Sequence, residues 1–151
     1  MKIDTPGYDN PWLALFGSLV FPAGEGVYSI HEHKRHQELI YHLQLLMNTF
    51  ADYFLFVVSD NASAHTTPKV TNFSDEHRTH MELVFLPTYS PHLNLIERLW
   101  RVMRHQVTKN QFFGSLDDLA KAVVAWLEQF PLSKFCSLMG VDESQLLNVN
   151  V

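Results

Sequence analysis

Residues 86–100, LPTYSPHLNLIERLW, constrain this chain most, because they specify a stiff loop that runs straight into a helix. Pro87 and Pro91 fix φ and remove two backbone donors, with Tyr89 and Ser90 between them. Asn94 is a good N-cap, and Glu97 stands three residues later at capping-box spacing. Ile96, Leu99, Val102, Met103 and Val107 then recur as a helical stripe. Glu97 has two readings at this level. It reaches back to the N-cap amide, favours the macrodipole and pairs with Arg101 at i+4, or it is a carboxylate that the loop delivers to a site.

The rest of the chain places that loop. Residues 12–21 are an apolar run suited to a buried strand; the turn at 22–26 and a short strand at 27–30 complete a hairpin. Over 34–51, Leu39, Ile40, Leu43, Leu46, Met47 and Phe50 repeat at helical spacing. Residues 53–58 (YFLFVV) are uninterrupted and β-rich, as expected of a central strand buried on both faces, and they stop at Ser59-Asp60-Asn61. A helix is predicted to begin near Thr67-Pro68, a strand over 81–86 and a last helix from Ser115 to Pro131. Strands alternating with helices after a hairpin predict an α/β fold, a mixed sheet flanked by helices. Ligands in such sheets sit outside the carboxyl ends of strands, which is where Asp60 falls.

Hydrophobic residues make up 46% of the 151, which excludes a disordered chain and allows one domain with a core. The single cysteine, Cys136, excludes an internal disulfide framework and fits a reducing, cytoplasmic setting. The longest apolar stretch is too short to span a bilayer, so no membrane role is expected. Net charge is −5, but residues 94–113 carry Arg98, Arg101, Arg104 and Lys109 against Glu97. The basic patch thus lies on the helix that holds Glu97. Nine histidines invite a zinc reading, yet no Cys-x-x-Cys or His-Glu-x-x-His pattern supports one.

Two carboxylates on rigid elements suit a hard cation such as Mg²⁺ or Mn²⁺. A pair of such ions activates an attacking oxygen and stabilises a leaving one in phosphodiester chemistry. A two-ion site ordinarily needs at least three carboxylates, and only Asp60 and Glu97 are placed by the pattern.

The segments VVSDNASAH and LPTYSPHLNLIERLWRVMRHQV resemble the catalytic core of mariner-like bacterial insertion-sequence transposases of the DDE superfamily. The family has an Asp-Asn-x-x-x-His motif after its fourth strand and a Leu-Pro-x-Tyr-Ser-Pro-x-Leu-Asn-Pro-Ile-Glu-x-x-Trp motif beyond it. Thirty-six residues separate Asp60 from Glu97, within the spacing the family keeps. Leu95 departs from the pattern, where the family usually has proline. The resemblance implies a ribonuclease-H-like fold, DNA transposition as the function and two Mg²⁺ or Mn²⁺ ions as cofactors. Asp60 and Glu97 match the second and third metal-binding carboxylates. Asn61 and His65 match the motif beside the second aspartate, where they orient the turn or touch DNA. Tyr89, Ser90 and Asn94 match the loop that shapes the site, and Arg98, Arg101 and Arg104 fall where phosphates are contacted.

The family's first aspartate lies on a first strand, between the second and fourth, and that strand is missing here. Asp4 and Asp9 follow no apolar run and are poor substitutes. The resemblance therefore implies an amino-terminally truncated domain over residues 1–131 with a tail over 132–151. Its expected partners are DNA (transposon ends and target) and either a second copy or a complementing amino-terminal fragment. The alternative is an inactive remnant that binds DNA or full-length transposase and inhibits it. A missing central strand also leaves unpaired edges, so a marginal or poorly soluble isolated chain is expected.

Overall fold

The computed structural model describes residues 2–4, 13–109 and 111–146. Strand β1 (Lys2–Asp4) lies parallel to β3 (Glu25–His31), which pairs antiparallel with β2 (Ala14–Val20) on its other side. The register runs from Ala14 opposite His31 to Val20 opposite Glu25, so the predicted hairpin forms. Alternation along a strand sends successive side chains to opposite faces. Ala14, Phe16, Val20 and Val27 join a core with Leu39, Leu43, Leu46 and Met47 of α1 (His36–Thr49). Leu15, Leu19 and Tyr28 pack on the opposite side with Leu99 and Met103 of α3 (Leu95–Met103). This sheet is covered on both faces.

The second cover is built by the carboxy-terminal helices. A π-helical turn, Arg104–Thr108, follows α3 and is closed by the Lys109 amide donating to the Arg104 carbonyl at 2.8 Å. Helix α4 (Leu116–Glu128) starts at Ser115, whose hydroxyl accepts from the Asp118 amide at 3.1 Å. Its Val123 and Leu127 meet Val107 in the same cluster. Helix α5 (Leu132–Met139) follows Pro131 and packs on α3, burying Phe135 and Cys136. Trp100 reaches the hairpin because position 17 is glycine. A Cβ there would stand 2.6 Å from the indole and 2.8 Å from the Tyr28 ring.

Strands β4 (Leu55–Ser59) and β5 (Met81–Phe85) form a separate parallel pair, connected through α2 (Pro68–Glu76). Leu55, Val57, Met81 and Leu83 face the core shared with α1 and the hairpin. Phe56 and Val58 face the other way and are 69% and 55% exposed. The expectation of a central strand buried on both faces is therefore corrected. Among the described residues β4 bonds only to β5, and nothing covers its second face. The expected mixed sheet is likewise divided into a three-stranded and a two-stranded sheet. The Leu55 amide donates to His80 and the Ser59 carbonyl accepts from Leu86, so residues 55, 57 and 59 point their backbone groups toward β5. By alternation, the amides and carbonyls of Phe56 and Val58 point to the unpaired edge.

A buried polar group that patterning does not single out lies between α1 and the hairpin. His42 holds Ser29 Oγ at 2.9 Å from Nδ1 and Ser18 Oγ at 3.0 Å from Nε2. His31 Nε2 lies 2.9 Å from the same Ser29 Oγ. Burial, reinforced by His31, pushes the His42 pKa down to about 4.

Candidate functional site

The site is built where β4 ends. Asp60 follows the last residue of β4, and a tight turn, closed by the His65 amide donating to the Ala62 carbonyl at 2.8 Å, brings the His65 ring back beside it. His65 Nδ1 lies 2.7 Å from Asp60 Oδ1, which also accepts from the Ala62 amide at 3.2 Å. Ser59 Oγ stands 3.0 Å from the same ring nitrogen. The Asp60 side chain is 39% exposed and that of His65 12%. Asn61 points the other way, and its amide Nδ2 donates to the Leu86 carbonyl at 2.6 Å. It therefore fastens the end of β4 to the start of the proline-bounded loop. Motif spacing marks Asp60, Asn61 and His65. No sequence pattern marks Ser59 as part of the site, because its contact arises from the turn folding back and leaves no periodic signal.

The loop carries the second carboxylate. Tyr89 sits at φ +59°, left-handed backbone that a non-glycine side chain rarely adopts, and its ring is 96% exposed. Ser90 precedes a 3-10 turn over Pro91–Leu93, and α3 starts directly after it. Asn94 occupies the N-cap with no side-chain cap bond, so the expected capping box is not formed. The physical reason lies one residue upstream. The Asn94 amide already donates to the Pro91 carbonyl at 3.1 Å, so Glu97 has no N-cap donor to reach back to. Nor does Glu97 pair with Arg101: among the described residues no hydrogen bond or ion pair engages its carboxylate. Two of the helix-serving readings of Glu97 thus lose their partners, leaving only its place in the positive first turn.

The three arginines divide. Arg98 donates to the Leu138 carbonyl at 3.2 Å and ties α3 to α5. Arg101 and Arg104 are exposed, at the end of α3 and the start of the π-helical turn.

The donor chemistry fits a hard divalent cation. Asp60 Oδ2 and both Glu97 oxygens take no hydrogen bond among the described residues, and both groups are half-buried, Asp60 just after β4 and Glu97 in the first turn of α3. The donor count falls short of a closed site. Among the described residues no group of three or more His, Cys, Asp or Glu stands where it could hold a metal ion. Asp4 ends β1, on the far side of β3 from β2, and Asp9 lies outside the described residues. No described helix is long and apolar enough to cross a membrane.

A sequence model of the family described as DDE superfamily endonuclease matches residues 9–120. The chain is also 27% identical over 117 residues to the uncharacterized protein y4pE/y4sA of Sinorhizobium fredii, a match that spans 76% of this chain and 83% of that one.

Proposed function

The chain belongs to the DDE superfamily endonuclease family, and from that premise we propose that it is a ribonuclease-H-like transposase domain that cuts and joins DNA during movement of a mariner-like insertion sequence. The observation that carries this reading is the pair of unengaged carboxylate groups, Asp60 Oδ2 and Glu97, at the end of β4 and on the first turn of α3. Asp60 and Glu97 would hold Mg²⁺ or Mn²⁺, which supplies activation of the attacking oxygen and charge relief at the leaving one. The protein's own contribution is placement. Asn61 holds the loop start against the end of β4, and the prolines restrict where Glu97 enters. Tyr89 offers an exposed ring beside the loop, and Arg101 and Arg104 offer cations to phosphates of the transposon ends and target.

The third carboxylate arrives on a strand from outside the described residues, carried by an amino-terminal transposase segment or a second copy. The edges of β2 and β4, unpaired among the described residues and both flanking the core under α1, support that addition by β-augmentation. A second reading is favoured by the donor count alone: by itself the chain binds DNA or full-length transposase and inhibits it.

The test is Mn²⁺-dependent nicking of duplex DNA carrying the element's terminal repeats, by the chain alone and by the chain with its amino-terminal transposase segment. The complemented protein should nick, and Asp60→Ala or Glu97→Ala should each reduce the rate at least ~100-fold. Nicking unchanged in either variant removes that residue from the site. Absence of nicking by the complemented wild type favours the inhibitor reading.

A further inference from the structure

The two oxygens of Asp60 are not equivalent. Oδ1 takes both protein donors, His65 Nδ1 at 2.7 Å and the Ala62 amide at 3.2 Å, whereas Oδ2 takes none among the described residues. A carboxylate oxygen beside a ring nitrogen at that distance requires the hydrogen to sit on Nδ1. The ring itself is held. Its backbone closes the Ala62–His65 turn, its side chain is mostly buried, and Ser59 Oγ touches the same nitrogen. His65 Nε2 is buried without a partner among the described residues, so none of them recruits the ring from its far side.

We propose that His65 is a positioning residue that locks Oδ1 of Asp60, so that the carboxylate offers a cation one oxygen, Oδ2, in one fixed orientation. The inference rests on the reading of Asp60 as a cation ligand and deepens it. A free carboxylate rotates about its terminal torsion and exchanges one-oxygen for two-oxygen ligation. Mg²⁺ and Mn²⁺ favour oxygen sites with defined octahedral positions, so a carboxylate with one oxygen tied down is better prepared for them. Partners that orient a ligating group in this way change metal affinity by roughly 10- to 100-fold when removed. Position 65 is specific for this task in a testable manner. An asparagine places its amide nitrogen where Nδ1 stands, one bond from Cγ, whereas a glutamine places it one atom further out.

The experiment titrates Mn²⁺ into the chain complemented with its amino-terminal transposase segment and follows the electron paramagnetic resonance signal of the free ion, with thermal unfolding of each variant measured in parallel. His65→Ala should weaken Mn²⁺ binding about 10-fold or more. His65→Asn should restore it to within about twofold of wild type, and His65→Gln should not. Asp60→Asn separates the two claims. If Asp60→Asn loses Mn²⁺ while His65→Ala or His65→Gln binds as wild type does, the positioning role is overturned and the ligand reading stands. If Asn and Gln at position 65 bind equally poorly while unfolding at the wild-type temperature, the positioning role is again overturned. If Asp60→Asn binds as wild type does, or wild type does not bind Mn²⁺, the ligand reading falls and the inference falls with it. Should His65→Ala fail to fold, the Asn and Gln pair carries the decision.

Discussion

The hairpin sheet and the β4–β5 pair are made of similar residues and end in different conditions. Both present an apolar face to α1. The hairpin's second face receives Leu99, Trp100 and Met103 of α3 and is sealed. Among the described residues the second face of β4 receives nothing, and Phe56, Val58 and Val84 are exposed. The candidate site lies on the unsealed half, at the end of β4, while the loop that carries Glu97 leaves β5 and hands its helix to the sealed half. The contrast teaches that the candidate site borders a layer that the described residues cover on one face only. Packing is concentrated away from Asp60.

The comparison can be pressed hardest at Leu99, which is fully buried between α3 and the hairpin. Leu99→Ala should cost about 2–5 kcal/mol, read as a lower urea midpoint. A loss below about 1 kcal/mol would mean that α3 does not seal the hairpin. Acid probes the α1 side of the same half. Burial, with His31 beside it, holds the folded pKa of His42 at about 4, below its ordinary value of 6.5. The folded protein therefore binds the proton more weakly than the unfolded chain does. Its stability is complete above pH 6.5 and is lost as pH falls toward 4, by on the order of 3 kcal/mol. Urea unfolding at pH 7 and pH 4 should show this loss in wild type and a smaller one in His42→Gln; equal losses would remove His42 as the cause. The smallest effect belongs to the open half. Phe56→Ser or Val58→Thr should change the unfolding free energy of the chain by no more than about 0.5 kcal/mol and reduce its self-association in sedimentation. A cost above about 2 kcal/mol would mean that another chain covers this face in solution, and the contrast between halves would dissolve.

Element order was readable residue by residue. Ser115-x-x-Asp118, Thr67-Pro68 and the turn after Phe21 each announce a local event, and each occurs where its chemistry requires. Cover was not readable. YFLFVV states how much apolar surface wants burial, but whether a neighbour arrives depends on strands remote in sequence. The capping box failed for a related reason. Asn94 and Glu97 have the right spacing, and a 3-10 turn just upstream had already taken the amide they needed. For the site, the end of the apolar run marks Asp60 and the resemblance to the family motif marks Asn61 and His65, yet which oxygen His65 holds follows only from the turn geometry at Ala62.

The connections of the two strand pairs carry a further consequence, in chain entropy. Four residues lie between β2 and β3, against twenty-one between β4 and β5. Loop closure scales with the logarithm of length, so joining the second pair costs about 1.5 kcal/mol more than joining the first. Helix α2 sits inside that longer connection and packs on both α1 and β5, already shortening the path the chain must close. The end of the molecule that presents Asp60 is thus the one whose assembly leans most on a helix docking elsewhere.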